Sequence, residues 1–334
     1  MAFPLRLSLS VGSYVAANKL RGRRRFPMVL MLEPTFRCNL SCAGCGRIKE
    51  DKAMGGRMLS LEECLSAVEE TRAPVVSIAG GEPLLHPQIG EIVKGIVERK
   101  RFVYMCTNGI ALKRGLELFE PNPYLSIVFH LDGFADLHDR ITGRSGVFDA
   151  VIDGIRAAKQ AGFQVRTNTT VFKGADPQQM LKLFSMLTDL GVDGMMVAPA
   201  FSYEEVDADI FLRREEVPAL FDPLYRQSRR FPFYHSPVYL EFLAGKRELQ
   251  CTPWSTVTRN PKGWKRPCYL LTDGYCRSFQ QLMEDTVWEK YGVGRDPRCT
   301  NCMVHSGFEA SAIEAGTSSV AGLWHMTRWS LFGA

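Results

Sequence analysis

The stretch Cys38-Asn-Leu-Ser-Cys42-Ala-Gly-Cys45 decides how the rest of this chain is read. It sets three thiols at C-x3-C-x2-C spacing, directly after the apolar run Pro27-Met-Val-Leu-Met-Leu-Glu33. Cysteine thiolates are the standard protein ligands of iron–sulfur clusters, and a [4Fe–4S] cubane takes four. Three close cysteines without a fourth leave one iron open, and an open metal position is where a small molecule coordinates and reacts. The competing readings are a zinc knuckle or plain buried thiols. Zinc sites usually pair a C-x2-C unit with a second pair or with histidines. Here nothing suitable follows before Cys64 and His86.

Outward from this stretch, short apolar runs alternate with amphipathic segments. The spacing predicts strands over 28–35, 74–79, 102–107, 126–132, 164–171 and 194–200. Helices are predicted over 61–71, 87–99, 112–119, 147–161 and 177–190, the first opened by the capping box Ser60-Leu-Glu-Glu63. Repeated β–α units imply a parallel sheet with right-handed crossovers. Six units are too few for an eight-stranded barrel, so a partial (β/α)6 barrel is the natural closure. Active sites of such folds lie at the C-terminal strand ends, where the cysteine loop falls. Beyond about residue 205 the alternation stops. Helices are expected over 215–230 and 278–290, and region 250–310 is rich in Cys, Pro, Gly and Trp. The expected division is a basic segment 1–26, the barrel 27–205, a Cys-rich appendage 206–310 and a tail 311–334. The tail reads equally as a docked helix or an interfacial anchor.

The chain has 334 residues, 46% hydrophobic and 23% charged, which suits a globular α/β domain with an appendage. A net charge of +5, concentrated at the N-terminus, gives no reason to expect nucleic acid as a partner. Ten cysteines without a visible secretory signal point to a reducing, cytoplasmic compartment. No apolar run approaches the ~20 residues of a membrane span. Residues 1–25 hold Arg6, Lys19, Arg21, Arg23, Arg24 and Arg25 and no acid. This is either a helix packed on the barrel end or a segment that makes peripheral contact with the inner membrane surface; on composition alone the packed helix is favoured.

Strand parity selects inward residues. In strand 3 Tyr104, Cys106 and Asn108 share a face; in strand 4 His130 and Asp132; in strand 5 Arg166, Asn168 and Thr170. A polar residue near the strand end turns these faces toward the lumen, which places the free thiol of Cys106 inside. A buried structural cysteine is the alternative.

The cysteine motif after strand 1, with Ala79-Gly-Gly-Glu-Pro83 after strand 2, resembles the signature of radical S-adenosylmethionine (SAM) enzymes. The resemblance implies the partial-barrel fold and a [4Fe–4S] cluster on Cys38, Cys42 and Cys45, whose open iron chelates SAM. Gly80, Gly81, Glu82 and Pro83 would hold the methionyl amino group. Asn108, His130, Asp132 and Asn168, with Arg166 and Thr170, are candidates for the ribose and the methionyl carboxylate. Gly44 stands where many members carry an aromatic residue. Such enzymes also take electrons from a small ferredoxin- or flavodoxin-type protein. Further on, Cys251, Gly263-x4-Cys268 and Cys299-x2-Cys302 resemble the short Twitch domain, which holds a second [4Fe–4S] cluster. Four thiolates suit zinc as well.

Across nearly the whole chain the resemblance narrows to the hopanoid-biosynthesis radical SAM proteins, the adenosylhopane synthases. It is carried by Met1-Ala-Phe-Pro-Leu-Arg6, Leu30-Met-Leu-Glu-Pro34, Cys106-Thr-Asn108, His130-Leu-Asp-Gly133, Cys251-Thr-Pro-Trp254, Arg266-Pro-Cys-Tyr-Leu270 and Cys302-Met-Val-His305. It implies that a deoxyadenosyl radical adds to the terminal alkene of diploptene, a hydrophobic polycyclic lipid. A hydrogen atom, from Cys106, then quenches the tertiary radical to give adenosylhopane. Two stretches depart from the pattern: Thr142–Gly146, and Ser306 where that family has a cysteine. They leave room for a paralogue acting on another isoprenoid lipid. A peptide-modifying enzyme with an auxiliary cluster is the alternative from another substrate class. The 26 residues before the first strand look short for a peptide-recognition domain. A non-enzymatic, metal-stapled binding protein is the third reading, and the Gly-Gly-Glu-Pro motif argues against it.

Overall fold

The computed structural model describes residues 5–202 and 209–332. Six apolar runs form parallel strands in chain order: β1 Val29–Leu32, β2 Val75–Ile78, β3 Phe102–Thr107, β4 Leu125–His130, β5 Gln164–Val171 and β6 Gly194–Pro199. Helices Leu61–Thr71, Ile89–Glu98, Val147–Gln160 and Pro177–Asp189 return the chain along the outside. Each buries one apolar stripe, such as Ile89, Ile92, Val93 and Ile96, or Val151, Ile152 and Ile155. The expected partial barrel is what the chain builds. Both bonds of the capping box are present, Glu63 N–H to Ser60 Oγ at 3.1 Å and Ser60 N–H to Glu63 Oε2 at 2.9 Å. Such a cap stabilises a helix by roughly 0.5–2 kcal/mol.

Several expectations need correction; the helices expected over 112–119 and 278–290 shorten to Leu112–Gly115 and Phe279–Asp285, each followed by a separate 3-10 turn. Strand 1 was expected to run to 35, but β1 ends at Leu32. Beyond it the backbone turns to serve the next loop: Thr35 and Arg37 carbonyls accept from Gly81 and Glu82 N–H at 2.9 and 2.7 Å. The helix expected over 215–230 is Val217–Arg226 between two single-turn 3-10 segments, with Pro218 near its start and Pro223 inside it. Each proline lacks the N–H that a longer helix would use. The last correction is larger. The sheet does not stop at β6, because β7 Thr256–Asn260 pairs in parallel with β1. Antiparallel β8 Gly263–Pro267 and β9 Thr272–Cys276 follow, giving the order β6-β5-β4-β3-β2-β1-β7-β8-β9. The Cys-rich region is thereby continuous with the barrel sheet. Without β7 the first strand would expose an open edge.

The N-terminal segment forms helix Leu5–Leu20. Its Leu7 is buried against Val75, Phe102 and Tyr234, and Val75 and Phe102 are the first residues of β2 and β3. This helix therefore closes the barrel end opposite the cysteine loop. The tail is helical: His305–Thr317 and Val320–Phe332 form a hairpin, with Met326 packed on Gly316.

Candidate functional site

The cysteine loop is held by its neighbours before any ligand arrives. Ala43 N–H donates to the Ile141 carbonyl at 2.7 Å. Cys38, Cys42 and Cys45 all line one cavity at the C-terminal strand ends, Cys45 exposed and the other two half-buried. The two glycines of the Gly-Gly-Glu-Pro turn have a more local purpose than ligand access. A Cβ on Gly81 would lie 2.0 Å from the Arg37 carbonyl oxygen, and one on Gly80, at φ +102°, would lie 2.5 Å from that of Thr35. No L side chain fits either place, so glycine is what lets this turn clamp the base of the cysteine loop. Pro83 opens the single 3-10 turn that follows. The Glu82 carboxylate accepts from Leu84 N–H, Thr107 Oγ1–H and Asn108 N–H at 3.1, 3.0 and 2.8 Å. Burial raises its pKa to about 7 against the pull of these three donors. Its acceptor capacity ties β2 to β3.

The parity argument for strand 3 holds. Tyr104, Cys106 and Asn108 line the cavity, while Met105 is fully buried on the other face. Asn108 Nδ2 donates to Asn39 Oδ1 at 2.7 Å and lies 3.9 Å from Cys38 Sγ, so its amide anchors the cysteine loop. Two residues along the strand is about 7 Å, so Cys106 lies one step deeper than the cysteine loop and Tyr104 a step deeper again. Cys106 Sγ has the Ser77 hydroxyl at 3.7 Å and the Tyr104 carbonyl at 3.9 Å. Burial pushes its pKa up to about 11, so it holds its proton at neutral pH. The Tyr104 hydroxyl donates to that of Tyr234 at 3.2 Å.

On β4 and β5, His130 Nε2 meets Asp132 Oδ2 at 2.8 Å, and Thr170 N–H donates to Asp132 Oδ1 at 2.8 Å. Burial disfavours the charged His130 ring, but the adjacent Asp132 carboxylate outweighs it and raises the pKa. Asn168 differs: its Oδ1 is buried on the cavity wall without a hydrogen-bond partner among the described residues. A buried amide oxygen left so is costly unless a ligand completes it. Arg166 does not reach the cavity. It is buried at the start of β5, bonded to Ser126 and Gln164, with its guanidinium 4.0 Å from the centre of the Tyr234 ring.

The cavity holds about 1240 Å³. It runs from the cysteine loop past Cys106 to Leu7, Val11 and Val15 of the N-terminal helix and Met326 and Trp329 of the last. Sequence reasoning missed these contributions, and also a buried network beside the cysteine loop. There Arg47 pairs with Glu33 and Glu50 at 2.8 and 2.7 Å, and its guanidinium lies 5.4 Å from the centre of the Tyr269 ring. Lys262 on the β7–β8 turn reaches Glu50 at 3.3 Å. An arginine two residues after the last cysteine was a usable signal; its partners across the sheet were not.

Cys251, Cys268, Cys299 and Cys302 converge on a second, small cavity of about 30 Å³. Two details suit a cluster. Leu271 N–H donates to Cys268 Sγ at 3.4 Å, the amide–sulfur bond that tunes cluster thiolates. A Cβ on Gly307 would lie 2.8 Å from Cys251 Sγ, so glycine leaves that thiol its room. Among the described residues no three His, Cys, Asp or Glu side chains are close enough to hold a single ion. Four thiolates suit zinc as well as a cluster. Ser306 lines both cavities, together with Phe201, Tyr269 and Leu270, so the two share a wall. If the second site holds a [4Fe–4S] cluster, the anaerobically reconstituted protein will carry about eight irons per chain. The Cys38/Cys42/Cys45 triple alanine variant will keep about half by iron analysis; zinc or no metal in that remainder refutes the second cluster.

The model for the Radical SAM superfamily matches residues 32–187, the stretch that builds the cysteine loop, the Gly-Gly-Glu-Pro turn and β2–β5. Residues 32–187 are a radical SAM domain. Membership brings a [4Fe–4S] cluster and SAM with it. The three clamped cysteines and the unpartnered Asn168 oxygen fit such a pair. Residues 195–326 match a domain of unknown function, DUF3463. The chain is 29% identical over 309 residues to the antilisterial bacteriocin subtilosin biosynthesis protein AlbA of Bacillus subtilis, covering 84% of the chain and 66% of AlbA. It is 30% identical over 172 residues to a GTP 3′,8-cyclase of Aquifex aeolicus, covering 49% of the chain and 54% of the cyclase. The chain thus spans from about half to about two thirds of these relatives' lengths. Among solved structures, SuiB of Streptococcus suis bound to S-adenosylmethionine superposes with a TM-score of 0.60 at 19% identity, over 75% of the chain and 62% of SuiB. Native anSMEcpe with bound AdoMet and a peptide gives 0.60 at 15% identity, over 86% of the chain and 95% of that structure. Both show a shared fold.

Proposed function

We propose that this chain is a radical SAM enzyme that joins the deoxyadenosyl group of SAM to the terminal alkene of a polycyclic isoprenoid, a hopene in the first instance. The observation that carries this reading is the cavity. Its volume exceeds the roughly 300–1,000 Å³ of a single drug-sized ligand site, which leaves room for SAM and a large second molecule. Its deep half is lined mainly by apolar side chains, among them Val11, Val15, Val75, Met196, Met326 and Trp329, and the charged groups there are paired, Lys19 with Glu314 and Glu309 with His235. When bound, the reduced cluster would supply the one electron that breaks the S–C5′ bond of SAM, leaving methionine and a deoxyadenosyl radical. SAM is consumed in the reaction and is a substrate. Its C5′ forms a carbon–carbon bond with the alkene CH₂, and the π electron left behind sits on the tertiary carbon. Cys106, one step deeper than the cysteine loop, gives its hydrogen atom to that carbon. The resulting thiyl then takes one electron and one proton, the electron from a ferredoxin- or flavodoxin-type donor.

Asn168 is the residue best placed to bind the adenosyl or methionyl part, since its oxygen is still free. Asn108 and Asp132 act mainly by holding the cysteine loop and β5. We propose Cys251, Cys268, Cys299 and Cys302 as ligands of the second cluster. The similarity to AlbA over 84% of the chain favours a second reading, a peptide substrate. Anaerobic reconstitution with SAM, reductant and a hopene-containing lipid extract separates the two. Mass spectrometry will find a lipid heavier by one deoxyadenosyl group and one hydrogen. Free 5′-deoxyadenosine as the sole nucleoside product, with no lipid adduct, overturns the alkene reading.

A further inference from the structure

The far end of the cavity meets solvent between the first helix and the last. Helix Leu5–Leu20 turns Leu7, Val11, Val15 and Lys19 to the cavity, and helix Val320–Phe332 contributes Leu323 and Met326. Of the lining residues here, Gly12, Ala16, Lys19, Leu323 and Thr327 are themselves exposed. Lys19 Nζ lies 3.3 Å from Glu314 Oε1 on the helix before the last, which fixes the end of the first helix beside the C-terminal hairpin. Around this opening large apolar side chains face water: Leu20 is 89% exposed, Val320 88% and Trp324 66%. A soluble surface rarely clusters such groups without a use. The charge about them is mainly basic, with Glu314 already paired to Lys19. Arg21, Arg23 and Arg24 follow Leu20, and Arg328 lies one helical turn beyond Trp324. No acidic residue occurs in 1–32 or in 315–334. Among the described residues no helix is long and apolar enough to cross a membrane.

We propose that this rim docks on an anionic lipid bilayer, with Leu20, Val320 and Trp324 in the headgroup region and the arginines on lipid phosphates. An apolar substrate then passes from the bilayer into the cavity without crossing water. Amphipathic segments bind membranes through this pairing of apolar side chains with basic neighbours. The entry route rests on the lipid reading above; the docking does not.

The test is cosedimentation of the reconstituted full chain with phosphatidylcholine vesicles, with or without about one third phosphatidylglycerol. Binding is expected to the anionic vesicles and to fall steeply as salt shortens the Debye length from about 10 Å to about 3 Å. Arg21→Glu/Arg24→Glu and Leu20→Asp/Trp324→Asp should each weaken it about tenfold or more, with iron content and circular dichroism unchanged. Neither pair lines the cavity, so turnover of detergent-dispersed alkene should match wild type while turnover of vesicle-borne alkene falls. Wild-type protein that stays in the supernatant, or variants that bind as wild type does, overturns the docking. Vesicle binding with no adduct from detergent-dispersed alkene overturns the lipid reading and leaves the docking standing.

Discussion

Alanine at Cys38, Cys42 or Cys45 will abolish SAM cleavage, with 5′-deoxyadenosine formation falling roughly 100-fold or more. Changes merely adjacent to metal ligands cost about 10–100-fold in affinity or activity, and a lost thiolate among only three costs more. The nearby oxygens are poor replacements: the Ser41 hydroxyl is neutral, Asn39 already accepts from Asn108, and the Glu82 and Asp132 carboxylates are engaged by Leu84, Thr107 and Asn108 and by His130 and Thr170. Cys64 and Cys276 are the controls. Both are buried in the apolar core and line neither cavity. Alanine there should leave iron content and cleavage at wild-type levels. Product chromatography on the reconstituted variants decides the matter. Substantial cleavage by any one of the three loop variants ends the assignment of that loop.

Cys106→Ala should separate the first half of the reaction from the second. The residue is not in the cysteine loop, so cluster content and SAM cleavage are expected to stay near wild type. What changes is the fate of the adduct. Addition to an alkene consumes the deoxyadenosyl radical, so the remaining tertiary radical must gain its hydrogen atom from elsewhere. A thiol fixed on the inward face of β3 delivers it from one direction and sets the stereocentre. Without it the adduct should fall in yield, appear as mixed stereoisomers, or lose a hydrogen to give an alkene. Protonation adds a check. The donor needs its S–H, and burial holds the Cys106 pKa near 11. The stereochemical outcome should therefore be flat with pH across neutrality and change only as pH approaches that value. Chiral chromatography with mass detection reads both effects. Wild-type yield of one stereoisomer from Cys106→Ala means the thiol is packing. Tyr104, on the same face with its hydroxyl on Tyr234, is then the next donor to test.

Much of this was readable without coordinates, because the signals are local. The period of apolar residues marks strands and helices, since each element buries its own stripe or face. A two-residue alternation is enough to put Cys106 and Asn108 on the side opposite Met105. Ser60 and Glu63 declare a helix start because their partners lie three residues apart. The cysteine spacing, with Gly-Gly-Glu-Pro after the next strand, carried the radical SAM reading for the same reason: the groups that meet come from consecutive strand ends.

Tertiary structure decided what depends on distant partners. The glycines of the second loop exist because the carbonyls of Thr35 and Arg37 stand where side chains would be, a contact across some 45 residues of sequence. The pairing of β7 with β1 joins the Cys-rich region to the barrel, and no pattern in either strand names the other. Ser306 looked like a lost cysteine; packing alone placed it on the wall between two cavities. Arg166 passed the parity test and still missed the cavity, because parity gives the face but not the depth along the barrel. The basic first helix could not be told from a solvated one by composition. Its position follows from where Val75, Phe102 and Tyr234 leave an apolar end uncovered, and that is a property of the assembled sheet.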